Sequence, residues 1–144
     1  MNKPDRFNLS RFRSAQQAIF PTALDELRAG SKRSHWMWFV FPQLRGLGHS
    51  PTAHIYGISS IDEARAYLAD SILGERLQLV TAATLAVEGS SASDIFGSPD
   101  DLKFHSSMTL FSVADGGANS LFRSALDRFF AGQADAKTLE LLGR

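Results

Sequence analysis

The sequence predicts an all-α protein: a compact orthogonal bundle of roughly six to eight helices in a single domain over residues 1–144. Three observations carry this. Alanine and leucine total 35 residues against 10 for valine and isoleucine, the reverse of what a sandwich or a buried parallel sheet needs. Apolar residues recur three and four positions apart in most segments, the spacing that lines one face of a helix. Glycine and proline interrupt those segments at helix-length intervals.

Taken in order, Phe7, Leu9 and Phe12 open a short amphipathic helix that runs to about Gln17, with Asn8 or Ser10 available as its cap. Pro21 suits a first helical turn, and Ala23, Leu24 and Leu27 lead to a stop at Gly30. The apolar run Trp36 to Phe41, closed by Pro42, is too short for periodicity to separate helix from strand; its surroundings favour a short buried helix. Residues 42–60 carry two prolines and three glycines and read as the longest loop, with room for one helical turn at Thr52 to Tyr56. Ser60 to Glu63 has the spacing of a capping box, followed by Ile61, Ala64 and Leu68 on one face.

Leu73, Leu77, Val80, Thr84 and Val87 then mark the clearest long helix, stopped at Gly89, while Ser93 to Phe96 reads as a turn. Ser98 as cap, Pro99 at the first helical position and two acids in the first turn start a helix that reaches about Val113, with Phe104, Met108 and Phe111 inward. Asn119 is the expected cap of the next helix, with Leu121, Phe122, Ala125, Leu126 and Phe129 inward and Gly132 as its stop. Asp135 to Leu142 forms a last short helix.

Fifteen cations balance fifteen anions, which disfavours a dedicated nucleic-acid coat. The balance is uneven along the chain: residues 1–50 carry a net of +5 and residues 51–144 a net of −5, so neutrality implies pairing between the two parts. Eleven of the cations are arginine, suited to planar, bidentate partners. The absence of cysteine removes disulfides, thiolate metal sites and thiol catalysis. No apolar run approaches the length of a membrane span or signal core, so a cytoplasmic protein without membrane contact is expected. His49 and His54 lie five apart around Pro51, which is not a helical ligand pair, and no metal or cofactor is expected.

None of the common nucleotide-binding, metal-binding or hydrolase motifs occurs. Two segments concentrate the chemistry. In Lys32 to Gln43, both tryptophans, Trp36 and Trp38, sit beside Lys32, Arg33 and His35 and just before Gln43. A guanidinium can hold phosphate or carboxylate, an indole can stack on a planar group, and imidazole can move a proton near neutral pH. The bland alternative is that the aromatics are core and the cations their solvated rim. In the second segment Lys103, Ser106 and Ser107 are three and four apart on one helix face; hydroxyls bonded back to the preceding turn are the commoner outcome. The expected ligand-binding set is Lys32, Arg33, His35, Trp36, Trp38, Gln43, Lys103, Ser106 and Ser107, with no catalytic residue assigned.

Those segments, together with Leu47-Gly48-x-Ser50-Pro51, Tyr56-Gly57-Ile58, Glu63-Ala64-x-x-Tyr67-Leu68 and Phe96-Gly97-Ser98-Pro99-Asp100-Asp101, resemble the bacterial family known as domain of unknown function 1810. The resemblance runs from about Leu9 to Leu142. It implies a small, cytoplasmic, mainly α-helical protein and carries over no catalytic residues. Some family members are labelled calpastatin, but a calpain inhibitor of that kind is disordered, repetitive and highly charged, and this chain is aromatic and free of repeats. Two functions are expected to compete. One is binding of a small anionic or nucleotide-like ligand in a basic, aromatic-lined pocket. The other is a non-enzymatic module that binds a protein through a helical surface and the 42–60 loop.

Overall fold

In a computed structural model the described residues, 5–116 and 120–144, form ten helices and no strand. They are α1 (Ser10–Gln16), α2 (Phe20–Arg28), α3 (Met37–Val40), α4 (Pro51–Ile55), α5 (Ile61–Ala69), α6 (Leu73–Leu85), α7 (Ala92–Phe96), α8 (Asp100–Ala114), α9 (Leu121–Phe130) and α10 (Ala136–Leu141). The all-α class holds, and the number of helices exceeds the expected range because short segments close into single turns. The Trp36 to Phe41 run is helical at Met37–Val40. Ala92–Phe96, expected as a turn, is a helix held by a complete capping box between Ser91 and Asp94.

The architecture centres on α8, which packs against α5, α7, α9 and α10. Phe104, Met108, Leu110 and Phe111 are all fully buried, as are the polar Ser107 and Thr109. On a helix covered on nearly every side, Thr109 Oγ1 is satisfied by donating to His105 O at 2.9 Å, whereas the Ser107 hydroxyl finds no partner among the described residues. Around α8 the rings of Phe41, Phe96 and Phe104 form one aromatic cluster, with Phe41 edge-on to both others and Phe96 stacked on Phe104 at 4.5 Å. Trp36, Phe12, Tyr67 and Phe122 extend the same core.

Local chemistry explains most of the boundaries. Ser60, Ser120 and Asp135 each accept a hydrogen bond from the backbone N–H three residues on, starting α5, α9 and α10. The cap of α9 is therefore Ser120; Asn119 lies outside the described residues. At α5 only half of the expected capping box forms, because the Glu63 carboxylate turns to Ser59 and Arg11 instead of returning to the Ser60 backbone. At α8 the register shifts by one residue from the expected start: Pro99, preceded by a cis peptide bond, takes the cap position and Ser98 makes no cap bond. Gly74 near the start of α6 has a packing reason. A Cβ there would stand 2.2 Å from the carbonyl oxygen of Leu68, so only glycine lets α6 leave α5 so tightly.

Segment 42–60 is less open than its glycines and prolines suggest. Beyond α4, a parallel bridge joins Leu44 to Ile58, with Ile58 N donating to Gln43 O at 2.9 Å and Arg45 N donating to Ile58 O at 2.8 Å. The Arg11 guanidinium clamps the same region by donating to Ile55 O at 2.7 Å, Gly57 O at 3.1 Å and Glu63 Oε2 at 2.7 Å. The uneven charge distribution resolves into such pairs: Arg11 with Glu63, Arg13 with Asp70 and Lys32 with Asp100 each join the basic first third to the acidic remainder.

Candidate functional site

The two chemistry-bearing segments meet. Lys32 N donates to Ile95 O at 2.8 Å, which ties the segment before α3 to α7, and the Lys32 side chain reaches the first turn of α8. There its Nζ lies 2.9 Å from Asp100 Oδ2 and 5.1 Å from the centre of the Trp36 ring. From one turn further along α8, Lys103 Nζ approaches the other oxygen of the same carboxylate at 3.3 Å and stands 4.5 Å over Trp38. Two ammonium groups thus share one carboxylate, each against an indole. Lys32 is only 7% exposed and uses Asp100 as its counter-ion; Lys103, at 22%, faces outward and its charge is left incompletely compensated.

Beside Lys103 the surface falls into a cleft of about 300 Å3, between the 43–48 turn, the first turns of α8 and the start of α10. Gln43, Leu47, Gly48, Pro99, Leu102, Lys103, Ser106, Asp135 and Lys137 line it. Gly48 shapes one wall: a Cβ at that position would stand 2.6 Å from Ala53 Cβ and 3.3 Å from Gln43 Nε2, so glycine alone lets the turn close on α4 beside the amide. Asp135 is spent on structure, since its Oδ2 accepts from Thr138 N at 3.1 Å, Thr138 Oγ1 at 2.6 Å and Ser106 Oγ at 3.3 Å. The Asp135 N–H donates to Thr109 Oγ1 at 2.9 Å, which docks α10 on α8. The Gln43 amide has no hydrogen-bond partner among the described residues.

Of the nine residues expected to bind ligand, Gln43, Lys103 and Ser106 line this cleft, and Trp38 and Lys32 stand behind Lys103. The others separate from it. Trp36 is 0% exposed, so its indole meets only protein; Nε1 donates to Glu26 Oε1 at 2.9 Å. Arg33 and His35 are exposed, and neither lines the cleft. Ser107, one residue beyond Ser106, turns into the core, where its hydroxyl has no partner. A helical face shared by Lys103, Ser106 and Ser107 therefore divides between α8's outer and inner sides.

Glu26 organises the turn that the sequence reading assigned to a ligand. Its carboxylate accepts from Arg33 N at 2.8 Å, Ser34 N at 2.9 Å, Ser34 Oγ at 2.6 Å and the Trp36 indole. Burial opposes the ionised form, but the bonds from the Ser34 hydroxyl, the two backbone N–H groups and the indole outweigh it and hold the carboxyl at about 2, against an ordinary 4.5. The basic, aromatic segment is thus already bound to an anion, the Glu26 carboxylate of α2. Sequence reasoning missed this carboxylate and the α10 wall of the cleft. The Asp135-x-x-Thr138 cap pattern announces α10, but nothing in it says which residues that helix faces.

The fourth histidine is also structural: the His105 ring stacks on Phe130 at 3.9 Å and Nε2 lies 2.7 Å from Gln133 O. Among the described residues no three His, Asp or Glu side chains gather to hold a metal ion, and no helix is long and apolar enough to cross a membrane.

Comparison with known proteins agrees with this architecture. A family model described as a protein of unknown function (DUF1810) matches residues 6–142. The crystal structure of the conserved hypothetical protein Rv1873 from Mycobacterium tuberculosis superimposes with a TM-score of 0.94 at 52% sequence identity, covering 97% of this chain and 99% of that one. No curated protein matches the sequence.

Proposed function

The chain belongs to the DUF1810 family, and we propose that it is a cytoplasmic protein that binds a small anionic, nucleotide- or sugar-phosphate-sized ligand in the cleft between α8, α10 and the 43–48 turn. One observation carries this reading: Lys103 shares its only carboxylate with the more deeply buried Lys32, so its charge points into the cleft without a full partner. Lys137 adds a second cation, Gln43 a free amide for orientation, and Leu47, Pro99 and Leu102 an apolar rim. A cleft of that composition suits an anionic group joined to a small apolar or planar body.

A thermal-shift panel of nucleoside monophosphates and sugar phosphates tests it. A ligand at a hundred times its Kd adds about 2.7 kcal/mol, which raises the Tm of a chain this size by roughly 9 °C. The Lys103→Gln variant should keep the unliganded Tm and lose the shift. A panel without a shift above one degree, or a shift unchanged in Lys103→Gln, overturns the reading.

A second reading, a non-enzymatic interaction module, is favoured by Leu102, which stands 60% exposed on the cleft rim beside Leu47 and Pro99. In that case Leu102→Asp abolishes binding of the protein partner, and none of the small molecules shifts the Tm.

A further inference from the structure

Beyond Lys103, the cleft between α8, α10 and the 43–48 turn carries polar groups whose hydrogen-bonding capacity the fold leaves unused. Asp135 spends Oδ2 on Thr138 and Ser106, but its Oδ1 has no partner among the described residues. Ser106 is buried, and its hydroxyl acts only as a donor, to Leu102 O at 3.1 Å and to Asp135 Oδ2 at 3.3 Å. Its lone pairs accept nothing among the described residues. The Gln43 amide, also without a partner there, lies beside Gly48, where a Cβ would stand 3.3 Å from Nε2. Aromatic surface, by contrast, is already taken. Among the described residues no aromatic ring lines the cleft. Trp36 is fully buried and bonded to Glu26, and Lys103 Nζ stands 4.5 Å over the ring of Trp38.

We infer that the cleft selects a hydroxylated body, a sugar or polyol carrying a single phosphate, over a nucleobase. The inference rests on reading the cleft as an anion site at Lys103. A hydroxyl both donates and accepts, so one kind of group satisfies the free oxygen of Asp135, the lone pairs of Ser106 and either end of the Gln43 amide. Ser106 Oγ and Asp135 Oδ2 are 3.3 Å apart, close enough for neighbouring hydroxyls of one carbon chain to meet both residues. A sugar also turns a C–H face, which suits the apolar rim of Leu47, Pro99 and Leu102. A flat base finds no ring to stack on, and a bare alkyl body strips water from these polar groups without replacing it. Asp135 pairs with no Lys, Arg or His among the described residues, so its carboxylate repels a second anionic group and favours one phosphate over two.

Calorimetric titration of the full chain tests this with glycerol phosphate, ribose phosphate, glucose phosphate, adenosine monophosphate and, as the body without hydroxyls, propyl phosphate. At least one sugar or polyol phosphate should bind about tenfold tighter than propyl phosphate, and adenosine monophosphate no tighter than ribose phosphate. Gln43→Met removes an amide that holds no structural bond. It should weaken the sugar phosphate by roughly tenfold, the worth of one hydrogen bond, and leave propyl phosphate unchanged. Lys103→Gln should weaken every ester. If no ester binds, or Lys103→Gln alters none of them, the anion site fails and this inference with it. Three results would leave the anion site standing and overturn the ligand class: no hydroxylated ester ahead of propyl phosphate, adenosine monophosphate about tenfold tighter than ribose phosphate, or a Gln43→Met variant that binds every ester as before.

Discussion

Glu63 and Asp100 do the same job in two regions with opposite outcomes. Each receives a cation from the basic first third of the chain, Arg11 in one case and Lys32 in the other. Glu63 is 2% exposed and saturated: Arg11, the Ser59 N–H and the Ser59 hydroxyl take its lone pairs, and Arg11 spends its remaining donors on backbone carbonyls. Asp100 sits at an edge, and two lysines compete for it. The closed pair holds segment 42–60 to the bundle. The open one leaves an ammonium group facing a cleft. A residue type does not tell structural from ligand-binding charge here; the count of partners does.

Breaking the closed pair should have the largest effect. Arg11→Met leaves the Glu63 carboxylate buried without its cation and releases residues 55–57, a loss of about 3–5 kcal/mol in urea unfolding. A loss below about 1 kcal/mol would mean that the pair is not a clamp. Asp100→Asn strips the counter-ion from Lys32, whose contact with Trp36 compensates only in part, and should cost about 2–3 kcal/mol. If Asp100→Asn were neutral, Lys32 would have to be solvated, and the argument for an uncompensated Lys103 would fall with it.

Acid sharpens the contrast further. Glu26 has its folded pKa depressed to about 2 from 4.5, so its contribution is complete above the unfolded value and is lost as pH falls from about 4.5 toward 2. Because the carboxylate is only partly buried, solvent screening reduces that contribution to about 1–2 kcal/mol. Glu26→Gln should therefore flatten the stability profile in that window, and an unchanged profile would show that the four bonds to Glu26 persist equally in its neutral form. The smallest effect on stability belongs to the open region: Lys103→Gln should change the unliganded protein by less than about 1 kcal/mol, since its ion pair is long at 3.3 Å, reaches solvent and is shared with Lys32. A larger loss would make Lys103 structural and remove the main support for the cleft.

The helices were legible for local reasons. Ser60 and Gly30 mark their boundaries through cap chemistry and backbone freedom, and Phe104, Met108 and Phe111 mark the inner face of α8 through a period of 3.6. The core reading of Trp36 was also available, because a large aromatic residue in an apolar run is usually inside. The site was less legible. Lys103 and Ser106 were found by spacing, and so was Ser107, although one residue of rotation about α8 turns it into the core. Arg33 and His35 looked functional by type, yet Glu26, seven residues before Arg33, takes the local N–H donors and leaves both side chains in solvent.

By itself, then, the sequence determined the all-α class, the central apolar helix, the cap at Ser60, the glycine stops and the charge asymmetry, because each of these depends on neighbours within a few turns of chain. The tertiary structure alone decided that Lys32 and Lys103 share Asp100 and that Gln43 and Ser106 line one cleft walled by α10. These arrangements depend on which distant side chains become partners when the bundle closes. A charge acquires a role only when its surroundings have either neutralised it or left it free.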